Sequence, residues 1–271
     1  MTDRISEEVF FKTTFTEELR LSFSLLKKQN ILPRLFVLSV GESISLKNDI
    51  EKLILLGRML GVHIELVSMV ESFTEGEILK IIEEQNNNPY VHGIYIKFSP
   101  SVLVNAERIS SHIHYMKDVA CITPISRGKL LASHPQVMAP EIKALAEFVR
   151  LTGINLKNIN ISVWGDNSSI SRILTAWLIN AGYSFRFINA GLMSTLCEPS
   201  DLLIIASAVS DFNFLKDIAL STIIDLSEYM EKSDEQFKSS SYIRLNKADI
   251  YNLCIFSNLL ETVQLLEKPK V

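Results

Sequence analysis

Two kinds of apolar pattern alternate along this chain. Short apolar runs without polar alternation predict strands at residues 34–40, 62–67, 91–98, 159–164, 184–188, 202–206 and 222–226. Longer segments with apolar residues at helical spacing predict helices at 7–28, 46–60, 75–85, 106–115, 140–151 and 250–266. A strand whose two faces are both apolar is expected to have other elements packed on both faces of its sheet. The pattern therefore predicts an α/β protein with largely parallel sheets.

The stretch from residue 159 to residue 182 has the most specific pattern. An apolar run ends at Gly165, small polar residues follow, and an amphipathic run closes at Ala181-Gly182. This order predicts a strand, a tight turn and a helix, with Ser168 as N-cap and Gly182 at the C-terminal end. Such turns bind the pyrophosphate of a dinucleotide when glycines stand at set positions. Here only Gly165 is present, and serines fill the other positions (Ser168, Ser169, Ser171).

Three other segments complete the organisation. The strand at 91–98 is expected in the centre of its sheet, and residues 117–130 are expected to be an irregular loop. Residues 228–241 are rich in Glu, Lys and Ser, which predicts a solvated loop. The order of elements suggests two α/β lobes joined near residues 140–158, with the last helix packing back on the first lobe.

Composition narrows the function classes. The chain has 271 residues, 47% of them hydrophobic and 21% charged, as expected for a globular protein. Its net charge of -4 gives no electrostatic case for nucleic acid binding, and no apolar run is long enough for a membrane span. The N-terminus lacks the pattern of a signal peptide. The cysteines (Cys121, Cys197, Cys254) form no C-x-x-C pair and no cluster with histidines. We therefore expect a cytoplasmic protein without a metal site.

Short motifs along the chain are similar to those of the bifunctional methylenetetrahydrofolate dehydrogenase/cyclohydrolase family. The matching stretches are Val40-Gly41-Glu42, Val91-His92-Gly93-Ile94, Lys117-Asp118-Val119, Gly165 with Ala181-Gly182, Ser200-Asp201-Leu202-Leu203-Ile204 and Ile224-Asp225. Each motif alone is weak, but their order and spacing are specific for the fold. The resemblance implies an N-terminal folate-type α/β lobe at 1–146, completed by 247–271, and a Rossmann-like nucleotide lobe with a parallel sheet at 147–246.

The resemblance also implies an activity and its cofactor. The family oxidises 5,10-methylenetetrahydrofolate with NADP and hydrolyses the methenyl product, with folate bound between the lobes. Its members usually dimerise through the nucleotide lobe, so a homodimer is expected. The chemistry uses a Tyr-x-x-x-Lys helix, a glutamine on the third strand, an aspartate in a Lys-Asp-Val-Asp-Gly loop and a C-terminal glycine-rich loop.

Most of these positions are changed here. Asp49 replaces the tyrosine, Leu53 the catalytic lysine, Lys97 the strand glutamine and Ala120 the folate-binding aspartate. The glycine-rich loop corresponds to residues 247–252, which contain no glycine. The candidate substrate site therefore consists of family-equivalent or neighbouring positions: Asp49, Leu53, Tyr95, Lys97, Asp118 and Ala120.

The nucleotide turn is changed in the same way. Its family-equivalent cofactor positions are Gly165, Asp166, Asn167, Ser168 and Ser171. Asp166 stands where the family often has a positive or small residue, and Ser171 replaces a glycine. A carboxylate beside a phosphate costs about 1–4 kcal/mol at contact, depending on the effective dielectric. NADP is expected as cofactor only with the family activity retained; the alternative is a plain capped strand–helix turn.

Three functions remain open at the level of sequence. The first is a homologue that has lost both activities, with ligand binding between the lobes either retained or altered. The second is an active folate enzyme in which Lys97, with Tyr95 two residues before it, and Asp118 act in shifted roles. The third is an interaction protein that uses the family's dimer surface. For Lys97 the structural alternative is neutralisation of a nearby carboxylate.

Overall fold

The computed structural model describes residues 7–70, 73–190, 200–207, 220–227, 241–245 and 247–267. The helices in these ranges are α1 (Glu7–Lys28), α2 (Ile44–Leu60), α3 (Glu75–Asn87), α4 (Ala106–Ser110), α5 (Pro124–Leu131), α6 (Pro140–Thr152), α7 (Ser169–Asn180) and α8 (Ala248–Leu266). The strands are β1 (Arg34–Val40), β2 (His63–Met69), β3 (Gly93–Phe98), β4 (Ile161–Gly165), β5 (Phe185–Asn189), β6 (Ser200–Ile205), β7 (Leu220–Asp225) and β8 (Ser241–Arg244). None of these helices is long and apolar enough to cross a membrane.

The described strands form two parallel sheets. One sheet has the order β2-β1-β3, and the other has the order β5-β4-β6-β7-β8. Every pair of neighbouring strands runs parallel. The predicted α/β class with parallel sheets is confirmed.

The chain divides into two compact units. The β1–β3 unit comprises Phe15–Pro140 and Tyr251–Val271, and the β4–β8 unit comprises Met1–Thr14 and Glu141–Ile250. Helices α1 and α8 each contribute residues to both units. Residues 7–14, which the sequence analysis assigned to the first lobe, cluster with the β4–β8 unit.

Helix α8 packs against the sheet of the β1–β3 unit, as predicted. A Cβ on Gly93 would lie 2.6 Å from Val119 and 2.8 Å from Leu259 of α8, so the helix and β3 approach too closely for a larger residue. Asn258 Nδ2 donates to the carbonyl oxygens of Val119, at 2.8 Å, and Met138, at 2.7 Å. These contacts bind the last helix to the segments that flank the candidate substrate site.

Helix boundaries follow local capping chemistry. Ser43 Oγ accepts the N–H of Leu46 at the start of α2, and Gly61 ends that helix with a φ of 76°. Thr74 and Glu77 form a capping box at α3. At the start of α7, Ser168 is the predicted N-cap and accepts the N–H of Ser171. These signals are local, which is why the sequence predicts them.

The predicted central position of β3 is wrong, because β1 lies between β2 and β3. The other edge of β3 makes only an isolated bridge between Ile94 and Asp118. Ile94 and Ile96 are nonetheless buried, in a hydrophobic cluster that includes Ile109 and Ile113. An apolar strand pattern reports burial but not the position of the strand in its sheet.

Three further predictions need correction. Residues 117–130 are not an irregular loop throughout, because Thr123 caps α5 and Pro124 occupies its first turn. The predicted helix at 106–115 is shorter: α4 ends at Ser110, and a 3-10 turn follows at Tyr115–Lys117. Strand β8 was not predicted. It begins at Ser241, at the end of the predicted solvated loop, whose residues 228–240 lie outside the described part of the chain.

Candidate functional site

Two of the candidate substrate-site residues form an ion pair. Asp49 lies on α2 and Lys97 lies near the carboxyl end of β3, and Lys97 Nζ is 2.5 Å from Asp49 Oδ2. Their side chains are 32% exposed for Lys97 and 22% for Asp49. The pair joins the two positions that the sequence analysis compared with the family's tyrosine and glutamine. The lysine therefore neutralises a carboxylate, the structural alternative considered from the sequence.

Three other candidate residues lie in the core. Leu53 is fully buried on the inner face of α2, together with Leu46 and Ile50. Tyr95 and Ala120 are also buried. A ligand that contacts these side chains would need this packing to open.

Asp118 is committed to its own loop. Its Oδ1 accepts the N–H groups of Ala120, at 3.3 Å, and Ile122, at 3.1 Å, while Oδ2 accepts the N–H of Thr123 at 2.8 Å. The residue is 1% exposed. The carboxylate thus organises the backbone that leads into α5, and it is not turned towards solvent.

Lys117, beside it, has a comparable structural role. Its buried ammonium donates to the carbonyl oxygens of Gln85, Asn86 and Asn88 at 2.7–2.9 Å, where α3 ends. Burial lowers the pKa of Lys117 from its ordinary value. The Lys-Asp pair of the family motif therefore ties this loop to α3.

The carboxyl ends of β1 and β3 are tightly packed. Gly41 has a φ of 85°, and a Cβ there would lie 2.1 Å from Val102. Ser99 Oγ donates to the carbonyl oxygen of Glu42 at 3.1 Å and lies 2.9 Å from Ser101 Oγ. These hydroxyls bond within the protein.

The chemistry available at this edge follows from the ion pair. Lys97 Nζ donates to Asp49 Oδ2, so the amine is already engaged by a carboxylate of the protein. The pair can exchange hydrogen bonds with a polar ligand, because both side chains are partly exposed. The position of the family's catalytic lysine offers only an aliphatic side chain.

A groove of about 670 Å³ in the same unit lies elsewhere. Its lining includes Ser22, Leu25, Gln29, Glu261, Gln264 and Glu267. None of the candidate substrate-site residues contributes to it. The groove therefore does not correspond to the predicted folate site.

The turn between β4 and α7 is closed by hydrogen bonds among three of its own residues. Asp166 Oδ1 accepts the Ser168 N–H at 2.9 Å and the Ser171 hydroxyl at 3.2 Å. Ser171 Oγ in turn accepts the N–H of Asp166 at 3.1 Å, and Ser168 Oγ accepts the N–H of Ser171 at 3.3 Å. Asn167 lies between them and is exposed. Backbone donors of the turn are thus bound to side chains of the turn itself.

The charge of Asp166 is stabilised by this network. The largest cause that lowers the pKa of Asp166 is hydrogen bonding by the Ser168 side chain. Hydrogen bonds from the Ser168 N–H and the Ser171 hydroxyl lower this pKa further. Partial burial acts in the opposite direction. The carboxylate also lies at the N-terminus of a helix, where a negative charge is favoured.

Gly165 has a packing role. A Cβ at this position would lie 2.8 Å from both the Phe187 ring and Ser171 Oγ. Phe187, on β5, therefore lies against the turn, and its exposed fraction is 42%. Any larger residue at 165 would displace this ring or the serine.

The residues of this turn do not fit a bound dinucleotide phosphate. Ser171 stands at a family glycine position, and its hydroxyl fills the space beside Gly165. Asp166 has already taken the Ser168 N–H. A phosphate would have to break these bonds and also approach a carboxylate.

Sequence reasoning assigned no site role to two polar residues near the carboxyl ends of β6 and β7. Asp225 is fully buried, with Oδ1 bound by the Ser227 hydroxyl at 2.7 Å and Oδ2 by the Tyr242 hydroxyl at 2.6 Å. Ser207, just after β6, is buried, and its Oγ has no hydrogen-bond partner among the residues that the structure describes. A polar residue directly after an apolar strand run is the signal that marks both.

No metal site emerges from the described residues, since no three His, Cys, Asp or Glu side chains within them come together in a suitable cluster.

The sequence is similar to known proteins of one enzyme family. Residues 10–120 match the family model "Tetrahydrofolate dehydrogenase/cyclohydrolase, catalytic domain". The chain is 26% identical over 216 residues to the bifunctional protein FolD of Streptococcus thermophilus, covering 78% of this chain and 75% of the relative. It is 23% identical over 257 residues to the FolD protein of Ligilactobacillus salivarius, covering 90% of each.

Solved structures show the same fold. The bifunctional methylenetetrahydrofolate dehydrogenase/cyclohydrolase from Campylobacter jejuni superposes with a TM-score of 0.80 at 18% identity, covering 96% of this chain and 98% of that one. The structure of the Trypanosoma brucei enzyme, complexed with NADP cofactor and inhibitor, also superposes with a TM-score of 0.80. Its sequence identity is 16%, and the match covers 98% of each chain.

Proposed function

We propose that this protein is a noncatalytic member of the tetrahydrofolate dehydrogenase/cyclohydrolase family. It keeps the family fold but has lost both the dehydrogenase and the cyclohydrolase activity. The ion pair between Lys97 and Asp49 carries this proposal, because it engages the lysine considered for a shifted catalytic role.

The surrounding residues support the same conclusion. Leu53 occupies the catalytic lysine position and is fully buried. Ala120 removes the folate-binding carboxylate, and Asp118 does not replace it, since its oxygens are bound to backbone N–H groups. Loss of a general acid–base group alone costs roughly 10²–10⁴-fold in rate.

Two assays on the purified full-length protein test the proposal. One follows NAD- or NADP-dependent oxidation of methylenetetrahydrofolate, and the other follows hydrolysis of the methenyl derivative. The Ligilactobacillus salivarius relative, assayed in parallel, is the positive control. We expect rates at the level of the uncatalysed reactions. Turnover comparable to the control in either assay would refute the proposal.

An active enzyme with relocated residues is the alternative function. Its chemistry would depend on Lys97, so Lys97→Met should abolish any turnover that the parent shows. The control is Lys52→Met, which removes the lysine next to Leu53 on α2 and should leave that turnover unchanged. Under our proposal neither substitution changes the background rate.

Retained ligand binding is a separate question from turnover. A thermal-shift screen with tetrahydrofolate derivatives tests it, because a ligand at ~100 times its dissociation constant stabilises the folded state by about 2.7 kcal/mol. A shift in the parent that Asp49→Asn or Lys97→Met removes would assign the ligand to the carboxyl end of β3.

We also propose that the protein forms a homodimer through the β4–β8 unit. Strand β5 is an edge strand of its sheet, and Phe187 on it is 42% exposed. Exposed apolar side chains on a strand at the edge of a sheet favour association. Sedimentation at micromolar concentration should show a dimer, and Phe187→Asp should convert it to a monomer. A monomeric parent would exclude this interface. We propose the cytoplasm as its compartment because the three cysteines of the sequence are widely spaced and form no C-x-x-C pair.

A further inference from the structure

The strongest departure from the family outside the substrate site is the turn between β4 and α7. In dinucleotide-binding folds this turn offers backbone N–H groups and a positive helix end to a pyrophosphate. Here a carboxylate from the turn itself lies at that end. Asp166 Oδ1 accepts the Ser168 N–H at 2.9 Å and the Ser171 hydroxyl at 3.2 Å.

We propose that the carboxylate of Asp166 acts as a built-in anion in place of a dinucleotide phosphate, so that the turn excludes phosphate-bearing ligands such as NAD and NADP. The inference goes beyond the proposed loss of catalysis. It concerns binding, it lies in the other unit, and it assigns the exclusion to the carboxylate of Asp166 together with Ser171, which holds it.

Three effects disfavour the binding of a phosphate at this turn. An incoming phosphate must displace the Asp166 carboxylate from the Ser168 N–H. It must also accommodate the buried Ser171 side chain where close backbone approach requires a glycine. A like charge at contact adds about 1–4 kcal/mol, which corresponds to a loss of affinity of roughly 5- to 1000-fold.

Ser171 links these effects. Its hydroxyl donates to Asp166 Oδ1 and accepts the Asp166 N–H, so the serine holds both the side chain and the backbone of Asp166. A glycine at 171 would release both bonds. Restoring a phosphate site therefore requires changes at both positions.

The test is titration of the full-length protein with NADP and NAD, followed by calorimetry and by thermal shift. The variants are Asp166→Asn, which removes the charge, and Asp166→Gly with Ser171→Gly, which also frees the backbone donors. Asp201→Asn is the matched control, because it removes a carboxylate that binds the Asn160 N–H at the start of β4, at the opposite end of the same sheet. Unfolding midpoints without ligand verify that each variant folds.

We expect no binding to the parent or to Asp201→Asn at millimolar dinucleotide. The double variant should bind the dinucleotide with a dissociation constant at least about tenfold below the weakest binding that the assay detects. The affinity of Asp166→Asn should lie between those of the parent and the double variant. Three results would overturn the inference: dinucleotide binding by the parent, no gain in the double variant, or an equal gain in Asp201→Asn. Hydrolysis of the methenyl derivative by the parent would refute the proposed loss of catalysis but leave this inference intact, since that reaction uses no dinucleotide.

Discussion

The ammonium of Lys97 and the carboxylate of Asp49 are bound to each other at 2.5 Å, across β3 and α2. Each stands at a position where the family resemblance implies a neutral side chain, a glutamine and a tyrosine. The two changes are complementary, because either charge alone would be partly buried without a partner.

A double-mutant cycle should measure this coupling. We expect Lys97→Met and Asp49→Asn each to lower the free energy of unfolding, and the double variant to lose less than their sum. A coupling of about 0.5–2 kcal/mol is expected for a pair of this exposure. Urea unfolding of the four proteins gives the value. Additive losses would show that the two charges do not interact in solution.

Restoring the catalytic lysine position should destabilise the protein. Leu53 is fully buried on α2. We expect Leu53→Lys to cost about 3–5 kcal/mol in the free energy of unfolding, because it buries a charge without a partner. Leu53→Met, which conserves volume, should cost less than about 1.5 kcal/mol. Equal stability of Leu53→Lys and the parent would mean that position 53 reaches water in solution.

Asp118 should prove essential for stability rather than for binding. Asp118→Ala removes the acceptor of three backbone N–H groups in a buried loop. We expect a loss of about 2–4 kcal/mol on chemical unfolding without any ligand. Asp118→Asn should lose less, since it keeps one acceptor oxygen. A neutral Asp118→Ala variant would contradict the structural role.

Asp166 should make stability depend on pH in the acid range. Its pKa is lowered in the folded protein, so its contribution is complete above the ordinary aspartate pKa of about 3.9 and is lost as the pH falls through the folded pKa. We expect the parent to be more stable than Asp166→Asn at neutral pH and the difference to shrink on acidification. Urea unfolding midpoints across this range provide the measurement. A difference that stays constant, or grows in acid, would be inconsistent with a lowered pKa.

Much of the architecture could be predicted from the sequence because its determinants are local. The bounds of α1 and β1, the Ser168 cap and the left-handed Gly61 all follow from spacing and from the preferences of single residues. The strand order could not be predicted this way. An apolar run has the same pattern whether a strand or another segment covers it, and β3 at the edge of its sheet is the example.

The residues of the candidate sites were determined by the sequence alone, including the absence of the family's lysine, aspartate and glycines. Only the tertiary structure decided what the substitutes do. Lys97 and Asp49 are 48 residues apart along the chain, and no pattern predicts that their charges meet. Asp118 and Asp166 are both aspartates beside candidate binding segments, yet one is buried in its loop and the other closes a helix N-terminus. The physical reason is that a charged side chain takes its role from the hydrogen-bond donors that folding brings within 3 Å of it, and those donors are fixed by the packed backbone.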